Sequence, residues 1–489
     1  MAAPTTAVLI LAAGRGTRMR SQWPKVLHAA GGRSMLASVL AAVQAADVAP
    51  PDTAGVASKG TVGVAPKDTA GVAAKDTAVV AGFGLDQIAA ALQGSGVSVL
   101  RQEPQLGTGH AVQSAQSWWQ AYDQLVVLHG DMPLLSPATV QGLIARRQES
   151  AAAAVLATAS PSEPRAYGRI LRDPKAPERV LAIVEEKQAT PEQRQIRELN
   201  AGFYAFATAP LAQALAQLGT DNPHGEYYLT DTIAILARQG QAVVGYALSD
   251  ERECLGVNDR AELAQLDRDL RRRKVEQLLQ SGVTVQLPDT VVVDAGVEVG
   301  PDTVLEPGVQ LLGATRIGSN CHIRSYSILT DCELGDHVLV RPHCVMESAR
   351  VEDGALLGPF TRLREGAHIG PGAHIGNFVE VKKSKVGAGA KANHLAYLGD
   401  ASIGAKANIG AGTITCNYDG VHKHPTQIGA GAFIGSNSTL VAPIEIGPGA
   451  YIAAGSVVTE SVPADALALG RARQTTKPGW AAKRRQRKP

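Results

Sequence analysis

The sequence predicts two folded units of different class, an α/β domain and a parallel β-helix of hexapeptide repeats, joined by a long helix. Three observations carry this. Short apolar runs alternate with helix-like stretches from Val8 to Arg147, the order that builds parallel βαβ units. Apolar residues fall at helical spacing between Asp259 and Gln280. Beyond Val283 aliphatic residues recur at sixfold spacing, which neither an amphipathic helix nor an alternating strand produces.

The chain has 489 residues, 45% of them hydrophobic, and a formal charge of +2. It is too long for one ordinary domain and too apolar for a disordered one. With 19% charged residues, 4% aromatics and 51 glycines, it is built from small residues and turns rather than around a large aromatic core. The near-neutral balance argues against a nucleic-acid groove running the length of the chain, and the basic tail Lys483-Arg484-Arg485 to Lys488 reads as a solvated terminus. The five cysteines, Cys254, Cys321, Cys332, Cys344 and Cys416, form no CxxC pair. That disfavours a disulfide framework and a zinc site, and a reducing cytoplasm fits best. No run approaches the ~20 apolar residues that cross a bilayer.

In chain order, Val8 to Ala12 reads as a buried strand that runs into Gly14-Arg15-Gly16 with no basic region before it, unlike a signal peptide. A helix follows over Ser34 to Ala46. Residues 52–77 then repeat with a period of eight and offer no large side chain to bury, so they are expected to be an inserted loop. Strand Val79 to Ala81, helix Leu85 to Leu92, strand Leu125 to Leu128 and helix Pro137 to Arg147 continue the alternation. In the joining helix Leu263, Leu266, Leu270, Val275, Leu278 and Leu279 share the helical period, Asp267 and Arg271 are placed for an i,i+4 pair, and Gly282 is a stop. In the repeat region Val351, Leu357, Leu363, Ile369, Ile375 and Val381 are spaced by six, as are Ile428 to Val458. Three hexads per coil give roughly nine coils from Val297 to Val458.

A solenoid needs only its repeat to fold, so interruptions ask for another explanation. Between Val381 and Ile403 the phase slips twice by one residue, and a non-repeat segment separates Thr415 from Ile428. In and beside these breaks lie Lys382, Lys383, His394, Tyr397, Asn408, Asn417 and Tyr418. His394 can serve as a general base on an amine, or be a histidine satisfied by a loop carbonyl. His368 and His374, one hexad apart, stay in register and read as surface residues stacked on one face. His422 and His424 are a weak metal pair for which exposure is the simpler reading.

At the other end, Gly14-Arg15-Gly16-Thr17-Arg18 follows the first strand, where glycines let backbone N–H groups approach a phosphate, and Arg15, Arg18 and Lys25 supply cation density suited to a triphosphate. Asp131, after His129-Gly130 at a strand end, is placed either to hold Mg²⁺ or to cap the next segment. Asn258 is either a second ligand or the cap of the helix beginning near Asp259.

Taken together, the N-terminal run Leu11-Ala12-Ala13-Gly14-Arg15-Gly16-Thr17-Arg18-Met19, Pro24-Lys25-Val26-Leu27-His28, Gln105 to His110, Gly225-Glu226-Tyr227-Tyr228, Gly256-Val257-Asn258, His394 to Asp400, Asn408 to Thr413 and Cys416-Asn417-Tyr418-Asp419-Gly420 carry a resemblance. The sequence resembles the bacterial bifunctional N-acetylglucosamine-1-phosphate uridyltransferase and glucosamine-1-phosphate acetyltransferase family, over nearly the whole chain outside 52–77. The resemblance implies a Rossmann-like nucleotidyltransferase domain over 1–258, a helical linker over 259–282 and a left-handed β-helix acetyltransferase domain over 283–489. The handedness is an exception to the right-handed crossover rule.

It further implies cytoplasmic homotrimers with acetyl-CoA bound between neighbouring helices, and a product that feeds peptidoglycan and lipopolysaccharide precursors. UTP contacts carry over to Leu11, Ala12, Ala13, Gly14, Lys25, Gln102, Gly107 and Thr108, with His129 and Gly130 beside them. Sugar contacts carry over to Gly168, Glu185 and Asn200, and Mg²⁺ to Asp131 and Asn258. Arg18 and Lys25 would neutralise charge in the transfer, and His394 would be the base of the acetyl transfer. Arg364, Lys382, Tyr397 and Asn408 would hold glucosamine 1-phosphate, and Ala411, Asn417, Tyr418, Ser436, Ala454 and Arg471 the acetyl donor.

His129 stands where an aromatic hydroxyl is usual in that family, and Glu365 where proline is usual. Two rivals stand beside this reading: a nucleotidyltransferase for another sugar 1-phosphate with an inactive trimerising β-helix, and a non-catalytic assembly subunit. Because 52–77 lies apart from every motif, its deletion is expected to leave both reactions at the rate of the intact chain, measured as pyrophosphate release and thioester consumption.

Overall fold

The computed structural model describes residues 4–46, 76–161 and 167–486. Of the octad repeat, positions 52–75 lie outside the described residues; Asp76 accepts a hydrogen bond from Tyr122 Oη at 2.8 Å, and Thr77 opens strand Thr77–Ala81. The chain divides into two compact units, 1–268 and 269–489, with the boundary inside helix Arg260–Gln280.

The first unit is built on a nine-stranded sheet. Strand Thr6–Leu11 pairs in parallel with Thr77–Ala81 and Gln124–His129, and Thr77–Ala81 in turn with Ser98–Arg101. This is the parallel βαβ part that the sequence predicts. Beyond it the sheet is mixed, since Leu199–Ala207 runs antiparallel between Gln124–His129 and Ala154–Ala159. The period of two divides each strand between two cores. Val8 and Ile10 pack on the side of helices Met35–Ala46 and Pro137–Ser150, whereas Ala7, Leu9 and Leu11 pack with Trp119, Phe206 and Leu236. Both helices start at serines: Ser34 Oγ accepts from Ala37 N at 3.1 Å, and Ser136 Oγ from Thr139 N at 3.2 Å with Pro137 at the first helical position.

The second unit is a stack of short parallel strands in three sheets, consistent with the left-handed β-helix of hexapeptide repeats. The first face runs from Thr284–Val285 to Leu467–Ala468, the second from Val292–Val293 to Val457–Val458, and the third from Glu298–Val299 to Ile444–Ile446. The faces hold 11, 10 and 9 strands, so nine complete coils form, and the remaining strands, two on the first face and one on the second, begin two more. Inward residues such as Leu357, Leu363 and Ile369 are fully buried. The joining helix closes the first coil with Val275 and Leu278, which pack against Val283 and Val293. Leu279, expected on the same apolar stripe, is 44% exposed. Arg271 pairs with Asp294 at 2.5 Å, while Asp267 accepts from Gly31 N at 2.8 Å.

The phase slips are a property of the corner between the second and third faces. They fall after Val381 and Leu398, and also after Leu329 and Met346; at these corners Asp331, Ser348, Lys383 and Asp400 turn the chain at φ of 46–52°. A slip therefore does not by itself mark a site. Equally, His368 and His374 do not share a face: His368 stacks over Arg350 on the third face and His374 over Leu356 on the first, because residues one coil apart, not one hexad apart, lie above each other.

Buried thiols Cys332 and Cys344 are pushed up to about 11 by desolvation. The described part of the basic tail forms exposed helix Trp480–Arg485. No described helix is long and apolar enough to cross a membrane.

Glu306 ties two coils together, accepting from Ser325 N at 3.0 Å, Ser325 Oγ at 2.8 Å, Arg324 Nε at 3.1 Å and His322 Nε2 at 2.9 Å. Burial opposes its ionisation, but these donors hold the carboxyl down to about 2. A lowered carboxyl pKa gives stability above the unfolded value that is lost as pH falls through the folded one. Glu306→Gln is expected to destabilise the β-helix by about 1 kcal/mol at pH 7. In urea titrations at several pH values, the gap to wild type should close between about 4.5 and 2.

Candidate active sites

The parallel strands of the first unit all end at one side of the sheet, where open α/β sheets bind ligands. Leu11–Gly14 leave strand Thr6–Leu11 there, with Ala12 N bonded to Val80 O at 2.8 Å, and Gly130 N bonds Leu11 O at 3.0 Å. Leu11, Ala12, Ala13 and Gly14 line a cavity of ≈ 410 Å³ together with Arg15, Lys25, Gln102, Gly107, Thr108, His129 and Asp131. Lys25 and Asp131 form an ion pair inside it, their side chains 14% and 20% exposed. Gln102 is buried and its amide donates to Gly107 O at 2.9 Å. Gly107 has φ 106°, and a Cβ there would lie 2.7 Å from Tyr227 O, so glycine is required by both conformation and space. Burial lowers the His129 imidazole pKa; Asp131 pulls it back up and Lys25 pushes it down.

A second cavity, ≈ 390 Å³, shares Thr108, His129 and Glu226 with the first and is lined by Gly168, Glu185 and Asn200. Asn200 Nδ2 donates to Tyr204 Oη at 2.7 Å, and its Oδ1 accepts from Gly202 N at 3.1 Å. Desolvation raises the Glu185 carboxyl, against a bond from Thr230 at 3.2 Å.

Three carried-over residues are placed differently: Gly130 lines neither cavity, its N–H being bonded to Leu11 O. Arg18 is exposed and does not line the cavity: Met19, 1% exposed, anchors the turn Thr17–Met19 inward and leaves its neighbour in solvent, while Arg15 takes the lining position. Asn258 does not line it either, but Val257 N bonds Asp131 O at 3.1 Å and brings the segment alongside. Asn258 is not the helix cap; Asp259 Oδ1 accepts from Ala261 N and Glu262 N, each at 2.9 Å. The Asp131 carboxylate and Asn258 amide are hard oxygen donors of the kind that suit Mg²⁺ completed by phosphate and water. No group of three or more His, Cys, Asp or Glu that could hold a metal forms among the described residues.

In the second unit the carried-over residues divide between two corners. Where the first face meets the second, His394 ends strand Lys391–His394, its Nδ1 2.9 Å from Asn377 Oδ1. Up that column, Gly412 N bonds Leu395 O, Asn437 N bonds Ala411 O and Gly455 N bonds Ser436 O; a Cβ at Gly455 would lie 4.0 Å from Arg471 Cδ. Ala411, Ser436, Ala454 and Arg471 thus follow one edge. Asn408 stands beside it on the first face, between Lys391 and Phe433.

At the other end of the second face, Arg364 Nη1 binds Glu380 Oε1 at 2.8 Å, and Asn417 Nδ2 donates to Asp400. Tyr397 reaches over Gly399 towards Asn417, since a Cβ at Gly399 would meet Tyr397 Oη and Asn417 Nδ2. Tyr418 is 59% exposed. Lys423, which sequence reasoning missed, comes back from the extruded loop to within hydrogen-bonding reach of Lys382; with Arg364 it holds the Lys382 ammonium pKa below its ordinary range. Arg364, Lys382 and Lys423 thus gather positive charge at this corner, with Glu380 against Arg364. The only signal in the sequence was a lysine in the non-repeat segment. His424 pairs instead with Asp419 at 2.7 Å.

Fold and sites define a transferase with a nucleotide-binding α/β unit and a hexapeptide-repeat acyltransferase unit. The profile of the MobA-like NTP transferase domain matches residues 8–285, and that of the bacterial transferase hexapeptide, six repeats, matches 425–460. "Bifunctional protein GlmU" of Koribacter versatilis is 49% identical over 98% of this chain and 97% of its own length. The proteins of the same name from Solibacter usitatus, at 47% over 98% and 97%, and Anaeromyxobacter dehalogenans, at 48% over 99% and 94%, agree. The chain belongs to the bifunctional GlmU family, and is an enzyme with nucleotidyltransferase and acyltransferase activities.

Gly107→Ala forces a Cβ onto a backbone carbonyl in the nucleotide cavity. It is expected to lower nucleotidyl transfer at least about tenfold, a loss equal to roughly 1.4 kcal/mol of barrier, and to leave acyl transfer unchanged in parallel assays.

Proposed function

We propose that the chain makes UDP-N-acetylglucosamine in two steps. The second unit transfers acetyl from acetyl-CoA to the amine of glucosamine 1-phosphate. The first then joins the N-acetylglucosamine 1-phosphate to UTP and releases pyrophosphate. The observation that carries the reading is the pair of adjacent cavities that share Thr108, His129 and Glu226: one has a Gly-rich strand end and the Lys25–Asp131 pair, the other Glu185 with Asn200. One is suited to a nucleoside triphosphate and the other to a sugar.

The phosphate oxygen of the sugar attacks the α-phosphorus and pyrophosphate leaves, a reaction that asks mainly for positioning and charge neutralisation. Lys25 and Arg15 supply positive charge, Gln102 and Gly107 fix the base end, and Glu185 with Asn200 orient the sugar. Asp131 and Asn258 would hold Mg²⁺, which would supply neutralisation of phosphate charge.

In the second unit His394 takes the amine proton as the amine attacks the thioester carbonyl. Arg364, Lys382 and Lys423 receive the sugar phosphate, with Tyr397 and Asn408 as flanking contacts. The edge of Ala411, Ser436, Ala454 and Arg471, with Asn417 and Tyr418, receives the acetyl donor. Because the base and the cation cluster stand at opposite corners of one face, a homotrimer that sets one copy's edge against the next is the assembly that completes the site. This trimer and a cytoplasmic location complete the proposal. An inert β-helix is not favoured, since the base and cation cluster are both present.

The test is a coupled assay with glucosamine 1-phosphate, acetyl-CoA, UTP and Mg²⁺, in which UDP-N-acetylglucosamine appears only when all four are supplied. His394→Ala is expected to cut acetyl transfer by about 10²–10⁴ while uridyl transfer persists, and Asp131→Ala to do the reverse. Wild-type acetyl transfer in His394→Ala, or wild-type uridyl transfer in Asp131→Ala, would sink the corresponding half.

A further inference from the structure

We infer that Asn377 is the positioning residue for His394, fixing through its carboxamide oxygen which ring nitrogen is left to act as base. The inference rests on the proposed role of His394 and deepens it. His394 and Asn377 are register partners one coil apart, on adjacent strands of the first face. The contact joins Nδ1 to Oδ1 at 2.9 Å. An amide oxygen only accepts, so the Nδ1 facing it carries the proton and Nε2 keeps its lone pair.

The backbone holds both residues in place. Leu395 N bonds Asn377 O at 3.1 Å. At Gly376 the two strands are so close that a Cβ would lie 1.9 Å from Asn393 O, which fixes the coil spacing beneath the imidazole. His394 itself is exposed, so Nε2 is open to a ligand while Nδ1 is held.

The partner is neutral, unlike the carboxylate that often orients a histidine, and this suits a base that must be unprotonated at neutral pH. The other charged or titratable groups around it are few. Arg341 and His374 line a small cavity of ≈ 140 Å³ with Asn377, Asn393 and His394. Lys391 lies on the same strand, and the coil above presents Asn408 to Gly412, none of them titratable. Burial, then Lys391 and Arg341, lower the His374 imidazole pKa; an imidazole is neutral or cationic, so that ring adds no anion in any case. In the reaction the N–C bond forms, the C–S bond breaks, Nε2 accepts the amine proton, and the imidazolium passes it to the departing thiolate; the Nδ1–H to Asn377 persists throughout.

The experiment measures acetyl transfer by the full-length enzyme against pH, for wild type, Asn377→Ala, Asn377→Asp and His394→Ala. Asn377→Ala should lower kcat by about 10- to 100-fold with KM for both substrates within about twofold. Asn377→Asp keeps the acceptor, so the rate should recover, with the acidic limb of kcat/KM moved about one pH unit or more higher by the added negative charge. Wild-type kcat in Asn377→Ala, or an unmoved limb in Asn377→Asp, overturns the inference. Should Asn377→Ala fail to fold, the Asp variant decides alone. Full activity in His394→Ala would instead remove the base reading on which the inference rests.

Discussion

The backbone ladder between successive coils governs the second unit. Each coil donates to the next through bonds such as Val345 N to Thr361 O at 3.0 Å and Arg362 N to Val379 O at 3.0 Å, so a residue is placed over the one that precedes it by one coil. Inward positions then stack as an aliphatic column, corner positions as edges and outward positions as faces. Everything proposed for acetyl transfer depends on that placement: His394 meets Asn377, and the small residues of later coils line up above it. The ladder also decides where charge sits. On the third face Glu298, Arg316, Glu333 and Arg350 alternate up the stack, with Arg316–Glu298 at 3.4 Å and Arg350–Glu333 at 3.9 Å. These pairs are exposed and individually worth little, but they avoid like charges in register.

The first unit solves the same problem by other means. Its parallel strands end together, so Leu11–Gly14, Gln102 and His129–Asp131 reach one rim although they are far apart in sequence. Positions that cannot tolerate a side chain are set by contacts outside the local turn: Gly107 is constrained by Tyr227 of a distant segment, whose N bonds Leu106 O at 2.8 Å.

Periodic features were legible in the sequence for a physical reason. Sixfold spacing, helical spacing and strand alternation each encode burial directly, so the hexads, the joining helix and the first strands were readable within a residue or two. What periodicity cannot encode is which coil neighbour a residue meets. His368 and His374 look adjacent at one hexad but occupy different faces. The slips after Val381 and Leu398 look like functional breaks until the same slip is seen at Asp331 and Ser348. Lys423 reaches Lys382 only because its loop folds back. Arg18 and Arg15 are equivalent in a cation count, and only the burial of Met19 separates them. The antiparallel strand Leu199–Ala207 has no local mark of its direction, since both faces are buried and, Asn200 apart, its sequence shows no polar alternation.

The edge between the first and second faces shows how strain and function share one device. Tyr326, His343, Phe360, Phe378 and Leu395 all hold φ of 50–62°, a conformation costly for large side chains. Each N–H bonds the coil below, as in Phe378 N to Phe360 O at 3.2 Å. The rings of Tyr326, His343, Phe360 and Phe378 stack at 5.0–5.4 Å between centroids. Ladder and stacking together over-determine the turn and offset its cost. At His394 and Leu395 the character of the edge changes. The next three corners carry Ala411 and Gly412, Ser436 and Asn437, Ala454 and Gly455, so the bulky column stops where the imidazole begins. The same left-handed turn is then made by residues that leave the edge clear, which is the room the proposed acetyl donor would need beside His394.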